Sequence, residues 1–357
     1  MSTNIMTASR QWATRPADQR YTTLADLKSA VSSRRFKSRS VDIDVSSIHA
    51  EVADDTIVLN SGISPCEPSH WAFGQLARSI SAPADYLRSL PTDLAVKCIN
   101  DGLSRSPREQ AKFMTIQSEG DGFNTLQAVT SQTYGRIWDA DCVSAVENLV
   151  EKSDGKFFNP KAYNFTTGST EPSGLYASDR DVFMFMIDGG SRLDVGPRAK
   201  LNRGFFVWNS EVGAKTFGLT TFLFNEVCGN HIVWGAQNVK NLVIRHSKNG
   251  PDRFDAQAMP ALMQYVNSSV AEEESTIRKA MHTTLPSGDA FDSWIKQFKF
   301  NKSEIREAIA VANKEEGKCE TVWDLMQGFT AYARDFDFID ARMDLQKRAA
   351  DLLIQLN

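Results

Sequence analysis

The chain has 357 residues, of which 41% are hydrophobic and 24% charged, and its net charge is −4. That composition excludes a disordered or fibrous protein and can fill one large core or two modest ones. The charge is too small for a mimic of DNA, which needs a dense negative surface.

No run approaches the roughly eighteen apolar residues of a membrane span, and the first ten residues lack the apolar stretch of a secretory signal. A cytoplasmic protein that does not contact a membrane is expected. Five scattered cysteines, Cys66, Cys98, Cys142, Cys228 and Cys319, form no Cys-x-x-Cys pair, so neither a disulfide framework nor a zinc knuckle is indicated.

Charge is uneven along the chain. Residues 1–40 carry eight basic and two acidic side chains, +6, which leaves −10 for the remainder. Residues 1–45 read as a basic arm ending in a short alternating strand, Val41-Asp-Ile-Asp-Val45. Within it, Arg34, Arg35, Lys37 and Arg39 surround Phe36, a grouping suited to neutralising phosphates beside a stacked base. A solvated arm is the plainer alternative.

A core domain is expected over 46–250. Ser69 caps a helix through Trp71, Phe73 and Leu76, and Pro83 opens another with Tyr86 and Leu87 on its apolar face. Their spacing loosely resembles a helix-turn-helix, but the second helix shows Asp85 and Arg88 rather than a basic row, which favours an ordinary packed pair. A third helix spans Asp93 to Gly102. Strands follow at Phe113–Ile116 and Leu126–Thr130, then a helix over Cys142–Val150, then strands at Gly174–Ala177, Val182–Ile187, Gly204–Trp208 and Lys215–Leu219. This predicts an α+β fold, a mixed and largely antiparallel sheet with flanking helices. Residues 251–357 read as a helical C-terminal module in which Trp323, Met326, Phe329 and Ala333, then Leu345, Ala349, Leu352 and Leu353, form stripes that pack back on the sheet.

The densest group of polar turns lies between Leu201 and Gly235, including Asn209-Ser-Glu-Val-Gly213 and Cys228-Gly-Asn-His231-Ile-Val-Trp-Gly235. With Trp12-Ala-Thr-Arg-Pro16, Phe73-Gly-Gln-Leu-Ala77, Thr130-Ser-Gln-Thr-Tyr-Gly-Arg-Ile-Trp138 and Ser178-Asp-Arg-Asp-Val-Phe183, these segments resemble the phage/plasmid-like family of domain of unknown function 932 over most of residues 10–250. The resemblance implies an accessory protein of phages, prophages or conjugative plasmids, working in a bacterial host cell. It assigns no catalytic residue.

Nucleic-acid binding draws on the most independent features. Arg198, Lys200, Arg203 and Lys215 cluster around the Phe-Phe-Val-Trp208 strand, and Arg245-His-Ser-Lys248 follows the second motif. Cations beside an aromatic strand hold single strands by tracking phosphates while a ring stacks on a base. Alternation puts Phe205 and Val207 on one face and Phe206 and Trp208 on the other, without deciding which is buried. The leading expectation is a homo-oligomeric protein that binds or anneals single-stranded DNA in replication or recombination and needs no cofactor. One alternative is an inhibitor of host defence that grips a host protein or nucleotide. The other is a metal-dependent nuclease or transferase built on Asp179, Asp181, Glu211 and His231, although no local metal-binding spacing, phosphate loop or serine-nucleophile motif is present.

Overall fold

The computed structural model describes residues 16–355 apart from 63, 121, 154–155, 165–168, 173, 197–198, 226–229, 233–241, 316, 334–335 and 337–338. The chain enters through β1 (Arg20–Tyr21) and α1 (Leu24–Lys37), whose start is fixed by Thr23, the side chain of which accepts from the Asp26 N–H at 3.1 Å. It continues into β2 (Ser38–Asp44). The expected arm is corrected here for its described part. Leu27 and Val31, four residues apart, bury one side of α1, β1 pairs with β11 (Leu175–Ala177), and β2 pairs along its whole length with β6 (Gln110–Ile116). Its short apolar stripe was hidden among serines and arginines.

The first sheet adds β3 (His49–Ala53), β4 (Thr56–Asn60), β5 (Cys66–Pro68) and β7 (Asn124–Ser131) to β2 and β6. Its order is β2-β6-β7-β5-β4-β3, antiparallel except for the β5–β7 pair. The β3–β4 hairpin turns at Asp54 and Asp55, both at positive φ (48° and 61°), as a tight two-residue turn requires. Between β5 and β6 run α2 (His70–Ser79), capped by Ser69 as expected, α3 (Ala84–Ser89) and α4 (Thr92–Ser104). Phe73, Leu76, Ile99 and Leu103 from these helices pack on Leu59, Phe113 and Leu126.

After α5 (Asp139–Lys152) the chain builds a second, wholly antiparallel sheet. Its elements are β8 (Phe157–Phe158), β11, β12 (Val182–Leu193), β13 (Leu201–Asn209), β14 (Phe217–Asn225), β15 (Asn230–Ile232) and β16 (Leu242–Ile244), with β9 (Lys161–Asn164) and β10 (Ser169–Pro172) as a separate hairpin. Strand order is β1-β11-β12-β13-β14-β15, with β8 beside β12 and β16 beside β14. One face holds Val207, Phe205, Met184 and Phe217 against α1, α5 and α6 (Gly250–Asn267). The other carries Tyr176, Phe183, Phe206 and Phe222, with Phe185 and Trp208 beside them.

The remaining helices are α7 (Ala271–His282), α8 (Asp289–Ile295), α9 (Lys302–Glu315), α10 (Val322–Tyr332) and α11 (Ile339–Ile354). Helix α10 begins with a capping box between Thr321 and Asp324 and is buried along nearly its whole length, so it forms the centre of this layer. Trp323, Met326, Phe329, Leu345 and Leu352 meet Leu193, Leu201 and Leu223 of the second sheet, the packing expected from their spacing. The α+β class stands, with two large sheets where one was expected. No helix among the described residues is long and apolar enough to cross a membrane.

Candidate functional site

Segments far apart in sequence meet where β13 ends. The Asn209–Gly213 turn is held from several sides: Trp71 Nε1 and Gln75 Nε2 on α2 donate to the Val212 carbonyl at 3.1 and 2.8 Å, and Tyr134 donates to the Ser210 carbonyl at 3.2 Å. Arg136 donates to the Glu211 carbonyl. Gly213, at φ +81°, lets the backbone reverse against Tyr134.

Beneath the turn lies a buried charge network. Arg34 contacts Asp139 Oδ2 through Nη2 at 2.6 Å and Glu211 Oε1 through Nε at 3.2 Å, and its Nη1 donates to the Ser178 carbonyl. Asp139 accepts from Asn209 Nδ2 at 2.8 Å, while its own N–H donates to Glu211 Oε2 at 3.0 Å. Burial, with the Glu211 carboxylate as the second cause, pushes the Asp139 carboxyl up to about 8. All three nitrogens of Arg34 are thus engaged, and both acids are shut away from solvent. The network clamps α1 to the second sheet, and a cleft of about 330 Å³ beside Arg34, lined also by Tyr21, Gln127 and Asp179, opens above it.

Above this clamp, cations and rings alternate. The Arg35 guanidinium lies over the Trp138 ring at 3.7 Å. Arg136 stands 5.4 Å from the same ring and 5.2 Å from that of Tyr134, and Tyr134 stacks on His246 at 5.0 Å. Burial brings His246 down to about 4, so at neutral pH it contributes a neutral ring, with Nδ1 accepting from the Ile137 N–H at 3.3 Å. Contact of Gly135 with Ser247 and Lys248 seats the Arg245–Lys248 loop against this row. Lys112 joins it from β6 by donating to the Tyr134 carbonyl at 3.3 Å.

The expected nucleic-acid residues therefore separate into two sets. Arg35, Arg39, Arg245 and Lys248 are exposed and carry no ion pair among the described residues, and the Phe36 ring beside Arg35 is 91% exposed. Lys37 is paired with Glu119 at the surface. The β13 group does not join them. Arg203, 2% exposed, is bidentate on Glu273 at 2.6 and 2.7 Å, because a cation on a central strand has to find a partner under its helical cover. Lys215 faces Asp181 at 3.5 Å. Trp208 is half-buried and stacks on buried Phe206, since both faces of β13 are covered. Lys200 is exposed beside Arg192 at a different cleft, and Arg198 lies outside the described residues.

The acidic set gathers near Arg34 without converging on one point. Glu211 belongs to the clamp, Asp181 accepts from the Ser178 hydroxyl at 2.7 Å within its own turn, and Asp179 is exposed. His231 sits on β15 opposite Phe224, its side chain outside those described, as is Cys228. Among the described residues no three His, Cys, Asp or Glu side chains converge as metal ligands would. Sequence reasoning missed Arg136, Trp138, Asp139 and His246. The signal for the first three was the string Tyr134-Gly-Arg-Ile-Trp-Asp139, in which a cation is set between two aromatic residues, and His246 stood inside Arg245-His-Ser-Lys248.

No family model, curated protein or solved structure matches the chain.

Proposed function

We propose that this protein binds single-stranded nucleic acid on the surface formed by Phe36, Arg35, Arg39 and the Arg245–Lys248 loop. The observation that carries this is the Phe36 ring, 91% exposed and next in sequence to Arg35, a cation with no acidic partner among the described residues. A duplex offers no base faces to such a ring, whereas an unpaired base stacks on it while guanidinium and ammonium groups hold the flanking phosphates. The resemblance to a phage and plasmid family supplies the setting: an accessory protein in replication or recombination, acting as a binding or annealing factor that covers longer strands by repeating the subunit. The clamped helix α1 supports the reading by presenting the ring and Arg35 on a rigid element, and Arg39 follows on the paired strand β2.

Anisotropy titrations of labelled single and double strands at about 50 and 200 mM salt test it. Four neutralised phosphates at about 0.7 each give an expected logarithmic salt slope of about −3 for the single strand. Phe36→Ala should weaken single-strand binding by roughly 1–3 kcal/mol. Absence of binding at the lower salt concentration defeats the proposal.

A further inference from the structure

In this row the face of Trp138 is covered by an exposed side chain, that of Arg35. Its indole packs beside Met114, Ala128 and Val212, which fixes the ring, while the Arg35 guanidinium lies 3.7 Å above it from the last turn of α1. That is the separation of two stacked planar groups. The Arg35 guanidinium makes no hydrogen bond or ion pair among the described residues, so the indole is what it rests on.

A second cation stands close by. Arg136 is more than nine-tenths buried, its Nε and Nη2 have no hydrogen-bond partner among the described residues, and its guanidinium is 5.4 Å from the same ring. Two like charges flank one indole; burial, with the Arg35 charge as a much smaller cause, lowers the affinity of Arg136 for its proton. Asp141, exposed on the first turn of α5, is the acid that feels the charge of Arg35. An anion placed between the two guanidinium groups would relieve their repulsion and satisfy the idle donors of Arg136.

We propose that Trp138 is a base-stacking platform that Arg35 covers in the free protein: when a single strand binds, Arg35 leaves the ring, a base takes its place, and the adjoining phosphate is held between Arg35 and Arg136. This rests on the nucleic-acid reading above and adds a second stacking site to Phe36. The exchange suits a guanidinium, which gives up a planar stack in water and gains a bidentate contact with phosphate.

The test uses the full chain and oligothymidylate. Of seven tryptophans, Trp138 is isolated as the difference in emission between wild type and Trp138→Phe. The oligonucleotide should quench that difference signal. Arg35→Ala should make it more accessible to acrylamide in the free protein and reduce the salt slope by about 0.7, and Trp138→Leu should weaken binding about tenfold with the slope unchanged. If Trp138→Leu does not fold, the emission difference alone decides. An unquenched Trp138 with Phe36→Ala still weakening the complex overturns the platform and leaves the surface reading standing. No binding by wild type at low salt removes both. Equal quenching by thymidine monophosphate at the same nucleotide concentration overturns the strand assignment in favour of a free-nucleotide site.

Discussion

Asp139 and His246 set opposite limbs of a stability profile. An acid whose folded-state pKa lies above its unfolded value holds its proton more tightly when folded, so its contribution is whole below about 3.9 and is lost as pH rises through about 8. His246, depressed to about 4, behaves in reverse: its contribution is present above about 6.5 and is lost as pH falls through about 4. The two slopes oppose each other between about pH 4 and 6.5, so melting temperatures measured from pH 4 to 9 should stay level there and fall towards pH 8, with Asp139→Asn removing the alkaline fall and uncovering an acidic one, and His246→Phe extending the fall to lower pH. Unchanged profiles would exclude these groups as the source. Arg34 matters for a related reason. Arg34→Met leaves the Glu211 carboxylate buried without its cation and Asp139 without its donor, and a loss of about 3–5 kcal/mol is expected in urea unfolding. Phe36→Ala, by contrast, should leave stability within about 0.5 kcal/mol of wild type, because the ring touches mostly water.

Between elements, buried polar contacts decide how layers join. Arg203 on β13 donates to the carbonyls of Tyr265, Ser268 and Ser269 at the end of α6 and to Glu273 on the first turn of α7. It thus satisfies helix-end carbonyls that have no partner within the helix. Arg203→Met should cost about 3–5 kcal/mol, since Glu273 remains as an unpaired buried charge, and replacing both residues with apolar ones should recover much of the loss. Helix packing supplies a second test. Gly328 on α10 lies against the Ala308 carbonyl of α9, where a Cβ would collide. Gly328→Ala gains at most about 1 kcal/mol of helix propensity but should lose about 1–3 kcal/mol net through forced separation of the helices. A stabilised variant would show that the helices yield without cost.

Across the whole molecule, the second sheet is shared property. Leu201 and Leu223 face the C-terminal helices, Phe205 and Val207 face α5 and α6, and Phe206 and Phe222 fill the aromatic side. Strands β13 and β14 therefore contribute to three clusters at once, and no cut at residue 250 separates self-sufficient cores. A chain ended at Asn249 would expose Leu201, Leu223 and the Arg203 charge together, and it is expected to aggregate under refolding conditions in which the full chain stays in solution. A soluble, cooperatively melting fragment would show that the helical layer is dispensable.

Periodicity alone determined the α+β class, the cap at Ser69, the strands around Phe113, Leu126 and Phe205, and the stripe through Trp323 and Phe329, because each depends on neighbours within a turn or a pleat. Folding alone decided which cations remain free. Arg34 and Arg35 are adjacent letters, yet one turns inward to Asp139 and the other outward over Trp138, and the β13 arginine that looked most like a phosphate ligand is consumed by Glu273. A charge is available to a ligand only if no buried acid claims it first, and the claiming acids stand 105 and 70 residues away along the chain.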